Sequence, residues 1–553
     1  MLPVINLSGG WNSLLIDEAR ATLERDVLPV FLLRQRWFAG KARDLDAVRV
    51  IDATVPGSFP GDSALVLIEA AFRDGGTDTY LVPLSLSSGV ETETGQALAR
   101  IEGPEGPSVL RDGLTDDALC AALLYAIESG REITTGLGRI RATSTSAYTE
   151  ARGPGTVTDH IKRGSAEQSN TNILFADRLI LKVFRRLEPG LNPDLEIGRF
   201  LTRGGRFDRV PKTAGSIEYD RPGAEPITLA MLQRLVPNQG TGWEHALEGL
   251  RDYLGQAVGP LDMPGLGETD GRPLSALALT DPPSVVAQAI GDSLREAALL
   301  GRRTAELHRA LASDPDDPKF APEPLTKADL ATLASDVRAQ VEAALNALRS
   351  NLDRLDDANA RQGRQVLDQA PGLLALLDRL PDLDQAGVKV RCHGDYHLGQ
   401  VLWTGDDYVI LDFEGEPARP LAKRTEKQSP IKDVVGMIRS FDYAAFAALF
   451  DATKGLPDEL ERLTPRTRAW RTWTSAAFLR EYLNTIADAS LLPTDPAALT
   501  PLLHAFTLDK ALYELLYELN NRPSWVRIPL QGIAALIEPM NPGPKGQERG
   551  QTL

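Results

Sequence analysis

Hydrophobic and polar positions follow two different periods along the chain, and the change between them divides it. Between residues 47 and 236, most apolar and β-branched residues alternate or run together in short segments that end at turn residues, as in β-strands, with helices predicted only around residues 116–128 and from Pro193. Residues 173–175 and 179–184, on either side of Ala176-Asp177-Arg178, predict a hairpin. Downstream, apolar positions at helical spacing predict helices over residues 244–257, 286–312, 327–348, 356–368 and 371–380. The expected fold class is therefore α+β, with strands preceding helices.

Two breaks in this pattern predict domain boundaries. Gly103-Pro-Glu-Gly-Pro107 interrupts the strands, and strand character ends near Val236. These breaks predict three parts, residues 1–105, 106–236 and 237–553. The first 35 residues are expected to be helical, because their apolar residues recur at loosely helical spacing.

Composition narrows the class of protein. The 553 residues are 42% hydrophobic and 25% charged, as in ordinary globular proteins. The net charge of −16 argues against a nucleic-acid backbone or an anionic membrane surface as the main partner. No apolar run approaches the length that spans a bilayer, and the first residues lack a secretory pattern. The two cysteines, Cys120 and Cys392, exclude a disulfide scaffold and suit a reducing cytosol, so a cytoplasmic protein is expected.

One stretch carries the residue pattern of a phosphotransferase. His393 precedes Asp395 by two residues, Gln400 follows five residues later, and Asp412 begins an Asp-Phe-Glu segment. Protein kinases have the form H-R-D-x-x-x-x-N followed by Asp-Phe-Gly, in which one aspartate acts on the acceptor hydroxyl. The amide and the second aspartate hold Mg²⁺. The sequence therefore predicts Asp395 as the catalytic residue and Gln400 and Asp412 as metal ligands. Gln400 instead of asparagine and Glu414 instead of glycine are departures from the kinase form.

The histidines of this stretch have a different expected role. His393 is expected to hold the loop through hydrogen bonds to backbone carbonyls, and His397 to cap the same loop. A zinc site is not predicted, because Cys392 beside His393 does not match the usual ligand spacings. The competing interpretation of the whole stretch is a turn with satisfied polar side chains.

Lys182 is the candidate phosphate ligand on the strand-rich side of the chain. It lies on a strand face that is otherwise apolar, where a lysine is costly unless it meets an anion. The kinase pattern supplies two anions, the α/β-phosphates of ATP and Glu196, although Glu188 and Asp194 compete with Glu196. The alternative is a lysine that protects an edge strand from aggregation.

The rest of the nucleotide site is predicted from order along the chain. The polar turn at residues 163–172 lacks a glycine-rich phosphate motif, but Ser169 and Asn170 within it are assigned to the phosphates. Where the strands pass into the helices, Gln233 and Leu235 are assigned to adenine, which the backbone would recognise. Taken alone, both segments are ordinary connections.

The acceptor is expected to bind on a C-terminal helix. Over residues 506–518 leucines form a core stripe, while Asp509, Tyr513 and Tyr517 recur every four residues on a neighbouring face. A carboxylate beside flat aromatic rings suits a sugar. Lys510 and Glu414 are assigned to the same site. The alternative is a set of surface polar residues and half-buried tyrosines.

These segments together resemble the maltokinases, a family among the aminoglycoside-phosphotransferase-like kinases. The maltokinases also carry Gln and Glu at the positions of Gln400 and Glu414, where this chain departs from protein kinases. The resemblance implies a bilobal protein-kinase-like fold with an N-terminal cap (1–105), a β-rich ATP-binding lobe (106–236) and a mainly helical lobe (237–553). The motifs that carry the resemblance are Arg34-Gln-Arg-Trp-Phe-Ala-Gly-Lys41, Cys392-His-Gly-Asp-Tyr-His-Leu-Gly-Gln400, Asp412-Phe-Glu-Gly-Glu-Pro417, Asp433-Val-Val-Gly-Met-Ile-Arg-Ser-Phe-Asp-Tyr443, Leu508-Asp-Lys-Ala-Leu-Tyr513 and Asn521-Arg-Pro523.

The resemblance also implies an activity. ATP and maltose would give maltose 1-phosphate and ADP with Mg²⁺ as cofactor, feeding α-glucan and glycogen synthesis from trehalose. Trehalose synthase would be a functional partner, and the protein a monomer or homodimer. Two other functions stay open: a kinase for another small acceptor, such as glucosamine or an aminoglycoside, and a catalytically silent regulator that binds a sugar or nucleotide. The helical segment at residues 327–380 is longer than such kinases require, and the resemblance gives it no role.

Overall fold

The computed structural model describes residues 2–88, 97–104, 106–164, 169–256, 272–417, 419–454, 456–493 and 495–537. They form two compact units that adjoin in sequence at Pro237. This division falls where the strand pattern was predicted to end, near Val236. The first unit is built on β-sheets and the second on helices.

Strands dominate the first unit, as the alternating apolar pattern predicts. The strands are β1 (Val4–Asn6), β2 (Leu45–Ala53), β3 (Ser63–Phe72), β4 (Thr77–Ser88), β5 (Ala97–Glu102), β6 (Ser108–Asp112), β7 (Glu132–Thr134), β8 (Arg139–Ser144), β9 (Ile161–Arg163), β10 (Asn170–Phe175), β11 (Leu179–Phe184), β12 (Arg186–Leu187), β13 (Thr213–Asp220) and β14 (Ile227–Arg234). The helices are α1 (Asp17–Thr22), α2 (Leu28–Arg34), α3 (Asp117–Ser129), α4 (Tyr148–Arg152) and α5 (Pro193–Thr202).

The first sheet has the strand order β1-β5-β6-β4-β3-β2, with β12 paired to β4. Its strand β1 runs parallel to β5, so the expectation of helix throughout the first 35 residues was wrong at Val4–Asn6. Exposed Val4, buried Ile5 and exposed Asn6 alternate with the period of a strand. Because β6 belongs to this sheet, the sheet continues past residue 105.

The tryptophan motif near the N-terminus packs in the core of the first sheet. Trp37 and Phe38 are buried, and their ring centroids lie 6.0 and 5.1 Å from that of Tyr80. The Arg185 guanidinium lies 4.9 Å from the Trp37 ring and donates to Asp112 Oδ2 at 2.6 Å, so this buried charge is paired. The motif therefore has a structural role within the first unit.

The second sheet has the strand order β7-β8-β13-β14-β11-β10-β9. The predicted hairpin is confirmed: β10 and β11 pair antiparallel, with Asn172 opposite Lys182. Helix α5 follows in sequence, where Pro193 begins the helix and the Asn192 side chain accepts from the Asp194 N–H. A hairpin followed by a capped helix places Lys182, Asp194 and Glu196 within one unit.

Helices dominate the second unit, and the helical periodicity predicted most of them. The helices are α6 (Gly242–Gly255), α7 (Leu274–Leu277), α8 (Ser284–Ile290), α9 (Asp292–Leu311), α10 (Lys327–Asn351), α11 (Asp357–Asp368), α12 (Ala370–Asp378), α13 (Leu421–Arg424), α14 (Ile431–Thr453), α15 (Pro457–Ile486), α16 (Pro496–Asn521) and α17 (Arg527–Ile537). Short strands β15 (Glu323–Pro324), β16 (Val388–Lys389), β17 (Val401–Trp403) and β18 (Tyr408–Ile410) connect them.

Two features of the second unit bear on the site. The single helix predicted over residues 286–312 is two helices, because Gly291 between α8 and α9 has a φ of 61° that an α-helix cannot contain. The segment at residues 327–380 forms α10, α11 and α12, and α10 packs along α16, which carries the acceptor candidates. Within the described residues, no helix has both the length and the apolar character needed to cross a membrane.

Candidate active site

The predicted metal ligands lie together at the ends of a small hairpin in the second unit. Strands β17 and β18 pair antiparallel, with Gln400 immediately before the first strand and Asp412 shortly after the second. The Gln400 Nε2 donates to Asp412 Oδ2 at 3.0 Å. Asp412 has a φ of 64°, a left-handed conformation that is rare for residues other than glycine and common at functional sites.

His393 holds the catalytic loop, as predicted. Its Nε2 lies 2.7 Å from the Leu411 carbonyl oxygen, and its Nδ1 accepts from the Asp395 N–H at 3.4 Å. A ring that accepts at Nδ1 and faces a carbonyl at Nε2 carries its proton on Nε2. His397 caps the same loop, since its Nδ1 accepts from the Gly399 N–H at 3.0 Å. Both histidines therefore hold the loop through hydrogen bonds to its backbone.

Asp433, on the first turn of α14, accepts hydrogen bonds from the backbone of the loop. It was not assigned a role from the sequence. Its carboxylate accepts from the His393 N–H at 2.7 Å and the Gly394 N–H at 2.9 Å, and lies 3.1 Å from His308 Nε2. Burial alone would raise the pKa of Asp433, but His308 and the amide donors lower it below its usual value. A Cβ on Gly436 would lie 2.5 Å from the Tyr396 carbonyl oxygen, so glycine is needed for α14 to approach the loop.

Lys510 on α16 reaches the predicted catalytic residue. Its Nζ lies 3.3 Å from Asp395 Oδ1 and 3.2 Å from Glu416 Oε1. Burial alone would lower the pKa of Lys510, but the two carboxylates raise it above its usual value. Arg419 pairs with the other oxygen of Glu416. Burial would raise the pKa of Glu416, and its neighbouring cations, Lys510 first among them, lower it instead. The lysine therefore keeps Asp395 beside a fixed positive charge.

Asp509 is one residue before Lys510 and has a different environment. Burial raises the pKa of Asp509 above its usual value. Its Oδ1 accepts from the side-chain nitrogen of Gln340 on α10 at 2.8 Å, in the amide orientation that satisfies both ends of Gln340. Its nearest described partner is thus a neutral amide. Asp509 and Tyr513 both line a cavity with Asp395, whereas Tyr517 is 47% exposed and lies against Arg522.

The cavity gathers residues that are far apart in sequence. Of the assigned acceptor residues, it contains Asp509, Lys510 and Tyr513; neither Glu414 nor Tyr517 is in its lining. The described residues that line it and were not assigned from the sequence include Tyr396, Glu416, Arg419, Lys432, Asp433 and Phe506. Glu416 and Asp433 stand within motifs quoted for the family resemblance, which was the signal available for them.

The nucleotide candidates of the first unit include one buried ion pair. Lys182 Nζ lies 3.3 Å from Asp194 Oδ2, and both side chains are buried, so Asp194 provides an anion that the sequence named as a competitor of Glu196. Glu196 is also buried, in the same first turn of α5. A buried lysine with an acidic partner is the arrangement that kinases use to hold phosphates. The edge-strand alternative for Lys182 is wrong, because β11 lies between β14 and β10.

The other nucleotide candidates lie within or next to the second sheet. Asn170 begins β10, directly after Ser169. Gln233 on β14 is paired with Ile180 on β11. The Leu235 N–H donates to the Arg178 carbonyl at 2.7 Å, so this donor is already engaged inside the sheet. The assignments of these four residues to phosphate and adenine stay predictions.

Loop, anchored aspartate and buried lysine are the parts of a kinase-type phosphotransferase. Residues 250–416 match the phosphotransferase enzyme family, and residues 31–116 match the maltokinase N-terminal cap domain. These two matches confirm the resemblance to maltokinases and aminoglycoside-phosphotransferase-like kinases found in the sequence.

Named relatives cover most of the chain. A glucosamine kinase of Streptacidiphilus jiangxiensis is 28% identical over 378 residues, 67% of this chain and 72% of that protein. A glucosamine kinase of Mycolicibacterium smegmatis is 26% identical over 423 residues, 76% of this chain and 88% of that protein. A solved glucosamine kinase in complex with glucosamine, ADP and inorganic phosphate has a TM-score of 0.61 at 22% identity, covering 94% of this chain and 99% of that chain. This likeness confirms the α+β kinase-like fold.

Proposed function

We propose that this protein is an ATP-dependent sugar kinase whose preferred acceptor is an amino sugar, with glucosamine the first candidate. The observation that carries the proposal is the group of charged side chains in which Asp395 lies with Lys510, Glu416 and Asp509. It places a candidate catalytic carboxylate and a second carboxylate around one space. The relatives named glucosamine kinase support the same acceptor.

Asp395 is the group that acts on the acceptor hydroxyl in this proposal. The hydroxyl oxygen forms a bond to the γ-phosphorus of ATP, the bond from that phosphorus to the bridging oxygen breaks, and ADP leaves with the electron pair. The hydroxyl proton passes to Asp395. Lys510 pairs with this carboxylate, its Nζ lying 3.3 Å from Asp395 Oδ1, and holds it in the cavity.

Gln400 and Asp412 suit a magnesium ion by their donor chemistry. The Gln400 side-chain N–H donates to the Asp412 carboxylate, which leaves the Gln400 amide oxygen available as a ligand. This oxygen and the carboxylate would give the metal oxygen ligands only, as Mg²⁺ prefers. Bound Mg²⁺ would offset the negative charge of the phosphates during transfer. Lys182 would bind phosphate oxygens in the same role as the conserved lysine of kinases.

Asp509 is proposed to bind the acceptor amine. Among the described residues, the charged side chains that line the cavity are Asp395, Glu416, Asp433, Asp509, Arg419, Lys432 and Lys510, four carboxylates against three cations, with a net charge of −1. Asp395 and Glu416 are paired with Lys510, and Asp433 with His308. Asp509 contacts the neutral Gln340 amide, so an ammonium group would gain a charge-assisted hydrogen bond there.

Maltose is the second candidate acceptor, and the match of residues 31–116 to the maltokinase N-terminal cap domain favours it. In that case the product would be maltose 1-phosphate, for α-glucan and glycogen synthesis from trehalose with trehalose synthase as functional partner. The cap lies in the first unit, away in sequence from the acceptor residues of α16. The cap match therefore supports a common ancestry with maltokinases more directly than it supports maltose as the acceptor.

A panel of acceptors tests the proposal. Purified protein with Mg·ATP is given glucosamine, glucose, maltose and an aminoglycoside, and ADP release is followed. Glucosamine is expected to have the highest kcat/KM, with glucose at least tenfold lower because it lacks the amine. Turnover with maltose alone would replace glucosamine by the second candidate. No turnover with any acceptor, while nucleotide still binds, would favour a silent regulator.

A further inference from the structure

A second cavity lies within the helical unit, among helices α7, α11, α14, α15, α16 and α17. Its volume is about 440 Å³. It shares no lining residue with the cavity that contains Asp395. Ligand pockets for small molecules begin at about 300 Å³, so a monosaccharide derivative fits this space.

Arginines dominate the charged lining of this cavity. The charged lining residues in the described part of the chain are Arg272, Arg439, Arg468, Arg471 and Asp442. Arg439 is buried and pairs with Asp442 and with Glu514 behind the cavity wall, and Arg471 lies 3.4 Å from the other oxygen of Asp442. Arg439, Arg468 and Arg471 against these two carboxylates leave a net charge of +1. The cavity therefore favours an anion.

Ser475 on α15 points to a bound molecule. Its side chain is 3% exposed and lines the cavity, yet its Oγ has no hydrogen-bond partner among the described residues. A buried hydroxyl without a partner costs about 1–3 kcal/mol, so such groups are normally satisfied. Thr472 and Gln531 line the same space with further hydroxyl and amide groups.

The cavity lining also contains apolar side chains. They are Leu274, Leu277, Ile438 and Leu503. A pyranose ring has both kinds of surface, with hydroxyl groups at its edge and C–H groups on its face. His504 adds an uncharged ring to the wall, because burial lowers its pKa. Cations, hydroxyl partners and an apolar wall together match a ring that carries hydroxyls and an anionic group.

We propose that this cavity is a second ligand site that binds a phosphorylated monosaccharide, with Arg471 and Arg468 on the phosphate and Ser475 on a ring hydroxyl. The proposal stands on the residues of the helical unit and does not depend on which sugar the kinase phosphorylates. It also gives α15 and α17 a role that phosphoryl transfer does not require of them.

Calorimetric titration of the full chain tests the site, with glucose 6-phosphate as the probe and glucose and inorganic phosphate as comparisons. Glucose 6-phosphate is expected to bind at least tenfold more tightly than either comparison. Arg471→Gln should weaken binding at least tenfold. Arg462→Gln, the same change on the same helix but paired with Glu459 outside the cavity, should leave it unchanged.

Two further variants locate the binding. Thr472→Trp fills the cavity while keeping the arginine pairs, and should abolish binding with little change in the melting temperature. Lys510→Met, in the site of phosphoryl transfer, should leave binding of glucose 6-phosphate intact. Loss of binding in Lys510→Met and retention in Thr472→Trp would overturn the proposal. Equal affinity for inorganic phosphate would overturn the assignment of a sugar phosphate.

Discussion

The catalytic loop and the acceptor cavity are built in different ways, although they meet at Asp395. The loop is formed by residues close in sequence. One short hairpin brings Gln400 and Asp412 together, and the His393 ring forms hydrogen bonds with the Asp395 N–H and the Leu411 carbonyl oxygen. The cavity is assembled from distant segments, since Lys510 of α16 reaches back to Asp395 and Glu416. In the proposed function, the loop carries out phosphoryl transfer and the distant segments select the acceptor.

This difference predicts that changes in the loop lower kcat and changes on α16 raise the acceptor KM. The reason is that a group acting only in the transition state affects the chemical step, whereas a group that binds the acceptor throughout affects affinity.

Asp395→Asn is expected to lower kcat by about 10³-fold, in the range that general acid–base catalysis supplies. The acceptor KM should change little, because Asn keeps the size and the hydrogen-bonding capacity of the side chain. Steady-state kinetics with Mg·ATP measures both. Asp406→Asn, an exposed aspartate in the turn between β17 and β18, is the matched control and should have wild-type kcat. A near-normal kcat in Asp395→Asn would exclude this residue as the catalytic group.

Asp433→Asn tests whether the loop depends on its anchor. The amide offers one acceptor oxygen where the carboxylate offers two, so one of the His393 and Gly394 N–H groups loses a partner. We expect kcat to fall about tenfold to a hundredfold and the free energy of unfolding to fall by about 2–3 kcal/mol, as for a buried charged hydrogen bond. Urea unfolding and kinetics measure the two effects. A variant with unchanged stability and full kcat would show that the loop keeps its conformation without the Asp433 carboxylate.

Asp509→Asn is expected to raise the KM for glucosamine about tenfold to a hundredfold, the cost of a charge-assisted hydrogen bond, with kcat nearly unchanged. The KM for glucose should stay the same, because glucose has no amine. Tyr517→Phe is the control on the same helix, since this exposed tyrosine lies outside the cavity lining. An equal rise for glucose and glucosamine would contradict amine recognition by Asp509.

The acid side of the pH profile tests the same residue. Burial raises the pKa of Asp509 above 3.8, so it gains its proton at a higher pH than an ordinary aspartate. The carboxylate is present above the raised pKa and lost below it. Binding of glucosamine should therefore weaken as the pH falls through that value. The acid limb of kcat/KM for glucosamine should shift in Asp509→Asn, and an unchanged limb would assign it to another group.

Gln340→Ala, for which we expect the smallest change in KM, tests whether the segment at residues 327–380 contributes to acceptor binding. Removal of the amide that donates to Asp509 should raise the glucosamine KM about two- to fivefold, the value of about one neutral hydrogen bond. Gln365→Ala on the exposed side of α11 should have no effect. An unchanged KM in Gln340→Ala would leave this segment with packing alone.

The sequence predicted the loop better than the cavity for a physical reason. Spacing of a few residues fixes which groups meet in a tight turn, so the sequence predicted that Gln400 and Asp412 belong to one site, and the structure places them 3.0 Å apart. Glu416 and Asp433 could not be assigned from spacing, because their partners Lys510 and His308 are about a hundred residues away and only the folded chain brings them together.

Helical geometry explains why Tyr517 lies outside the cavity lining. A step of four residues exceeds one turn of 3.6, so each step rotates the side chain by about 40° around the axis. Tyr513 stays beside Asp509, but after two steps Tyr517 has rotated by about 80° and is exposed beside Arg522. Likewise, the strand at Val4–Asn6 was missed because three residues are too few to show a period, and its partner β5 is distant in sequence.

The most direct test of the account is one set of steady-state kinetics with glucosamine and Mg·ATP, in which Asp395→Asn and Asp509→Asn are compared with the natural chain. We expect the two variants to differ in opposite kinetic constants. For Asp395→Asn, kcat should fall about 10³-fold at nearly constant KM. For Asp509→Asn, KM should rise at nearly constant kcat. If both variants lost kcat alike, or if both changed only KM, the division between a catalytic loop and an acceptor helix would be wrong.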